Sequence, residues 1–198
     1  MKKLILVMTI VLLCSMAFAW DLIRQTAIPT NFYCLEKIGN TYWAGGYVGA
    51  VAKSTDNGLT WRFVETPAYN VIANEFKDVW DIDFINDMQG ILVGDDGLVA
   101  LTNDGGASWT WPQSAQNIIG TSRMYGAVYF PDGRIWICGY EGKVAYSPDF
   151  GVTWSLQAQG VTTVACYGIS MNESGVGFVA LNKGTPSQSK ILRTTNFG

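Results

Sequence analysis

Short apolar runs alternate with polar turns along this chain, and no apolar stripe holds the 3.6-residue spacing of an amphipathic helix. Runs such as Ile91-Leu92-Val93 and Ile135-Trp136-Ile137 are rich in β-branched and aromatic residues and are followed closely by glycine, which predicts buried strands. Asp81 and Asp83 sit at period two within residues 78–86, so they share one face of a strand. Residues 113–120 read as a connection. The one long apolar run, Leu4 to Leu13, follows Lys2 and Lys3 and precedes Ala17-Phe18-Ala19. That order of basic start, apolar core and small-x-small site is an export signal over residues 1–19. The run is too short for a spanning helix, and Cys14 follows Leu13 rather than a small residue, so no lipid anchor is expected. The mature chain is expected to begin at Trp20 and to be periplasmic, cell-surface or extracellular, with no membrane insertion after cleavage.

The polar stretches repeat. Ser54-Thr55-Asp56-Asn57-Gly58-Leu59-Thr60-Trp61 returns as Thr102-Asn103-Asp104-Gly105-Gly106-Ala107-Ser108-Trp109 and as Ser147-Pro148-Asp149-Phe150-Gly151-Val152-Thr153-Trp154. A fourth copy runs Thr194-Thr195-Asn196-Phe197-Gly198 to the end of the sequence. In each, a hydroxyl residue and Asp or Asn fold onto backbone amides, Gly supplies positive φ, and Trp anchors the turn to a core. Ala50-Val51-Ala52-Lys53 and Trp61-Arg62-Phe63-Val64 flank the first copy as strands. Eight residues before each of the first three copies begins a second turn, Gly46-x-x-Gly49, Gly94-x-x-Gly97 and Gly139-x-x-Gly142. Strand, strand, Gly-turn, strand, octapeptide, strand is a four-stranded unit of about 45 residues, the blade of a β-propeller.

The octapeptide resembles the Asp-box (BNR) repeat of sialidases, sortilin-type receptors and secreted propellers. The longer run from Asp78-Val79-Trp80-Asp81-Ile82-Asp83-Phe84 through Gly94-Asp95-Asp96-Gly97 to Trp109 resembles the propeller of the photosystem II stability and assembly factor family and its non-photosynthetic secreted relatives. The resemblance covers residues 20–198. It implies an all-β propeller of four-stranded blades that holds other proteins during complex assembly. Blades are expected at about 30–66, 75–112, 123–158 and 162–198, the last incomplete and carrying a polar insertion from Asn182 to Ser189. Residues 20–26 look like an outer strand and would close the ring. Two readings follow: a ring closed by four blades, or the front of a larger ring of six to eight. The sequence stops inside the fourth octapeptide, and the family's usual ring is larger, so the second is the expectation.

Composition narrows the chemistry. The chain has no histidine, which removes Ser-His and Cys-His nucleophiles, the imidazole base and nearly all zinc sites. Its formal charge of −3 becomes −5 without Lys2 and Lys3, against nucleic acid and anionic membranes as partners. Arg24, Arg62, Arg123, Arg134 and Arg193 are scattered, without the arginine cluster of a sialidase. Asp56-Asn57-Gly58 and Asp104-Gly105-Gly106 lack the remaining ligands of a calcium loop, so neither metal nor cofactor is expected. Cys34, Cys138 and Cys166 allow at most one bridge; a Cys34–Cys166 pairing would suit a closed four-blade ring, and buried thiols are the plainer reading. Asp81 and Asp83 carry the one enzymatic alternative, an extracellular glycoside hydrolase or carbohydrate-binding propeller; otherwise they are solvated channel residues. Asp95 and Asp96 read as turn formers. The leading expectation is a non-catalytic, exported scaffold for a protein or peptide. Trp80, Asp81, Asp83, Arg123 and Tyr125 are its candidate contacts, and a sorting or adhesion segment beyond residue 198 is a third reading.

Overall fold

A computed structural model describes residues 30–70, 72, 75–182 and 190–198. The expected signal segment, the strand expected at 20–26 and residues 183–189 of the insertion lie outside them.

Four antiparallel sheets follow one another along the chain. The first orders β1 (Phe32–Ile38), β2 (Thr41–Gly46), β3 (Val51–Ser54) and β4 (Arg62–Phe63). A small hairpin of β5 (Tyr69–Asn70) and β6 (Glu75–Phe76) leads to the second sheet, β7 (Val79–Phe84), β8 (Gly90–Gly94) and β9 (Val99–Thr102). An isolated bridge between Leu101 and Thr110 stands where that sheet's fourth strand would run. After α1 (Gln113–Ile119) comes a third sheet of β10 (Met124–Tyr129), β11 (Ile135–Gly139), β12 (Val144–Ser147) and β13 (Ser155–Gln157). The fourth contains β14 (Cys166–Met171), β15 (Gly177–Leu181) and β16 (Lys190–Thr194). The first strands β1, β7, β10 and β14 are neighbours in that order, so the sheets pack face to face about a common inner edge. This is the blade arrangement of a β-propeller.

Local hydrogen bonds explain why the octapeptides turn. The first hydroxyl accepts the N–H of the glycine four residues on, at 2.9 Å in Ser54, Thr102 and Ser147 and 2.8 Å in Thr194. Asp56, Asp104 and Asp149 accept the backbone N–H of Thr60, Ser108 and Thr153 at 2.9, 2.9 and 2.8 Å. Two successive left-handed residues result, as in Asn57 (φ 59°) and Gly58 (φ 83°). In the fourth copy the Thr194 hydroxyl donates to Asn196 Oδ1 at 3.0 Å, as the Ser54 hydroxyl does to Asp56 Oδ1 at 2.7 Å. These turns also wedge the blades together: Gly106 lies against the Trp43 ring and Gly151 against Leu101, each on the preceding blade. Lys53 Nζ donates to Gly105 O at 2.7 Å across the same junction. Trp61 and Trp154 donate their indole N–H to Gly58 O and Gly151 O, while Trp109 packs edge-on to Trp43 and Phe84.

The core lies between blades in three clusters. Trp43, Val79, Ile82 and Leu92 fill the first junction; Ile91, Val99, Met124 and Ile137 fill the second; Cys138, Cys166, Val179 and Leu181 fill the third. The segment expected to be a plain connection is helical over Gln113–Ile119, which buries Ala115 and Ile119 in the second cluster. Seven residues give that face two buried positions, too few to register as a period, and tertiary packing holds the helix. Lys143 Nζ donates to Ile119 O at 2.6 Å at its end. All three described thiols are free, and Cys34 and Cys166 belong to different clusters. Burial pushes the Cys34 thiol up to about 12 and the Cys166 thiol up to about 11, so both stay protonated at neutral pH.

Candidate functional site

One irregularity repeats on every inner strand. The register of β1 slips between Phe32 and Cys34, of β7 between Val79 and Asp81, of β10 between Met124 and Gly126, and of β14 between Cys166 and Gly168. The residue inside each slip is Tyr33, Trp80, Tyr125 or Tyr167. A bulge re-aims the side chain it contains, and here all four emerge together. Tyr33 stacks on Trp80 with ring centres 4.6 Å apart, Trp80 meets Tyr125 edge-on at 5.4 Å, and Tyr125 stacks on Tyr167 at 4.5 Å. A continuous arc of rings thus crosses all four blades. Tyr33 and Tyr167 at its ends are exposed, as are Tyr47 and Tyr140 from the neighbouring Gly-turns.

The Gly-turns hold charged groups beside this arc. In each, the residue after the first glycine donates its N–H to the carbonyl two positions before the arc aromatic: Tyr47 to Asn31 at 2.9 Å, Asp95 to Asp78 at 3.0 Å and Tyr140 to Arg123 at 2.8 Å. A Cβ on Gly46, Gly94 or Gly139 would overlap that same carbonyl oxygen, which is why glycine stands there. Asp95 then accepts the Trp80 indole N–H at 2.7 Å and forms a fork-like pair with the Arg123 guanidinium. Arg123 lies 5.7 Å from the Trp80 ring centre and 5.9 Å from that of Tyr125. Asp78 accepts the Val48 N–H at 2.8 Å and the more distant Tyr33 hydroxyl at 3.5 Å. Ser122, Arg123, Tyr125, Tyr140 and Glu141, with Asp96 from the preceding blade, line an open pocket beside the arc.

Of the five candidate contacts, Trp80, Arg123 and Tyr125 come together here. Asp81 and Asp83 turn away toward the next blade, where Asp81 Oδ2 accepts the Ala127 N–H at 3.0 Å and Asp83 Oδ2 accepts the Tyr129 N–H at 2.7 Å. They are half-buried caps on the inner edge of β10 rather than solvated channel acids. Burial pushes the Asp81 carboxyl up to about 6, against the pull of its two amide bonds, and raises Asp83 as well. Asp95 is more than a turn former, since it joins Trp80 to Arg123. The sequence reading missed Tyr33 and Tyr167; their signal was an aromatic residue recurring at one place on every inner strand. Among the described residues, no cluster of His, Cys, Asp or Glu fits a metal ion, and no helix is long and apolar enough to cross a membrane.

No protein-family model and no curated protein sequence matches the chain. Solved structures do resemble it. YCF48 bound to D1 peptide superposes with a TM-score of 0.66 at 17% identity, over 91% of this chain and 58% of that one. An ancestral GH74 enzyme gives 0.64 at 15% identity, over 90% of this chain and 25% of the other. The WD40 β-propeller domain of Doa1 gives 0.59 at 14% identity, over 86% of this chain and 53% of its counterpart. The chain thus spans little more than half of the first and third structures and a quarter of the second. What it shares with all three is its architecture: the chain is a β-propeller.

Proposed function

We propose that this β-propeller is an exported scaffold that binds a protein or peptide across the face carrying Tyr33, Trp80, Tyr125 and Tyr167. The observation that carries the reading is the arc itself. Tyr, Trp and Arg are the side chains on which interface binding energy concentrates, and here four aromatic rings and Arg123 form one contiguous, partly exposed strip. The hydrogen bonds of Asp95 to Trp80 and Arg123 fix two of these side chains in advance, which lowers the entropic cost of binding. A propeller solved with a peptide bound is similar in fold. Export is proposed from residues 1–19, and the octapeptides serve in this reading as structural Asp-box turns.

The stacking also weighs against the carbohydrate alternative. A sugar platform needs open ring faces, whereas Tyr33 and Trp80 cover one another at 12° between planes, and Tyr125 and Tyr167 do so at 22°. Asp81 and Asp83, the acids that alternative requires, are each engaged by a backbone amide.

The test is a selection of displayed random peptides on the purified chain, repeated on Trp80→Ala and Tyr125→Ala. Peptides retained by the wild type and weakened about tenfold or more by either substitution would support the reading, a loss typical of an interface hot spot. Peptides that bind all three proteins equally would move the binding surface elsewhere.

A further inference from the structure

The chemistry of the partner is written in how charge is layered on this face. We infer that the pocket between Asp96, Tyr125, Tyr140 and Glu141 receives a cationic side chain, lysine or arginine, from a peptide lying along the arc. This rests on the reading of the face as a binding surface.

At Asp96 and at Glu141 the anion faces outward and its lysine lies beneath it. The Asp96 side chain is 68% exposed, whereas that of Lys77, 3.8 Å from it, is 11% exposed. The Glu141 side chain is 61% exposed, while Lys143, 4.0 Å away, is 25% exposed and directs its ammonium to Ile119 O at 2.6 Å. Arg123, the remaining cation at the pocket, is 46% exposed, more than its partner Asp95, but its guanidinium is held by Asp95 and lies beside the Trp80 and Tyr125 rings. An approaching segment therefore meets the Asp96 and Glu141 carboxylates and the Tyr140 phenol, and a cation complements these.

The molecule already holds one cation in this manner. At the junction of the second and third blades, Arg123 sits beside two arc rings and a carboxylate from a Gly-turn. One blade on, the position matching Arg123 is Ala165, two residues before Tyr167 just as Arg123 is two before Tyr125. There the third blade's turn supplies exposed Tyr140 and Glu141, Glu141 facing Lys143 at 4.0 Å and accepting the Ser122 hydroxyl at 3.2 Å, while Ala165 brings no charge to the site. A guest ammonium or guanidinium reaching in from the arc takes that role.

The experiment measures binding of peptides from the selection above by fluorescence anisotropy, at low and at raised salt. It uses the wild type, the double variant Asp96→Asn with Glu141→Gln, and Tyr167→Ala. Both neutral replacements keep side-chain size, and Asn suits the left-handed backbone of Asp96 (φ 51°). An unchanged melting temperature of the double variant confirms that its fold is intact. Support consists of selected peptides rich in Lys and Arg, an affinity that falls with salt, and about tenfold weaker binding to the double variant. If selected peptides need Tyr167 but show no basic enrichment and ignore the double substitution, the cation pocket is wrong and the binding face stands. If no peptide is retained, both fail together.

Discussion

The half-buried carboxylates of the inner strands are residue-scale compromises, and pH exposes them. Asp81 spends its oxygens on the Ala127 and Ile82 amides, and its burial raises its carboxyl to about 6. Glu36, at the matching point of Asp83 one blade earlier, is raised to about 7 by burial and then by the charge of Asp83. A folded-state value above the unfolded one means that the fold holds the proton more tightly. The stability this contributes is full below about pH 4 and is lost as pH rises through 6 to 7. Asp56 and Asp104 behave oppositely: hydrogen bonds from Thr60 and Ser108 hold them near about 2. Their contribution is present above about pH 4 and lost as pH falls toward 2. Thermal melting across pH 2.5 to 8 is expected to be highest near pH 4 to 5 and to decline on both sides. Glu36→Gln should flatten the decline between pH 5 and 7; an unchanged profile in that variant would remove Glu36 from this account.

At the scale of the element, the turn chemistry was the legible part. The side-chain bonds within the first octapeptide run between residues at most four apart, so Ser54, Asp56, Gly58 and Thr60 announce the turn in contiguous sequence. The Gly-turns were equally plain, and the structure shows why both glycines are held. Gly97 has φ 68°, and a Cβ on it would overlap the carbonyl oxygen of Gly120 at the end of α1. Gly97→Ala is therefore expected to cost about 1–3 kcal/mol, read as a fall in urea midpoint; Gly160→Ala, which meets no neighbouring atom within 4 Å but also has positive φ, isolates the conformational share. Equal losses at the two sites would mean that the close approach to Gly120 contributes nothing. The helix went unread for the reason that makes it small: its buried face is Ala115 and Ile119 alone.

Across the whole molecule, what escaped the sequence is what spans a repeat. Tyr33, Trp80, Tyr125 and Tyr167 find one another only when successive blades pack. The pairing of Asp95 with Arg123 likewise joins the second blade to the third. Asp81 and Asp83 looked like channel acids because strand period places them on one face. It does not show that the next inner strand offers amides within reach at Ala127 and Tyr129. The propeller was therefore readable from local turn patterns, whereas its candidate binding face depends on bulges that tilt one aromatic side chain per blade out of the sheet. The most direct test of the central claim is hydroxyl-radical footprinting with a selected peptide bound, read by mass spectrometry at single residues. Oxidation of Tyr140 and Tyr167, both about half exposed in the free chain, should fall several-fold, while exposed Leu59 and Phe63 at the blade periphery stay unchanged. Protection of Leu59 and Phe63 with the tyrosines still fully oxidised would contradict it.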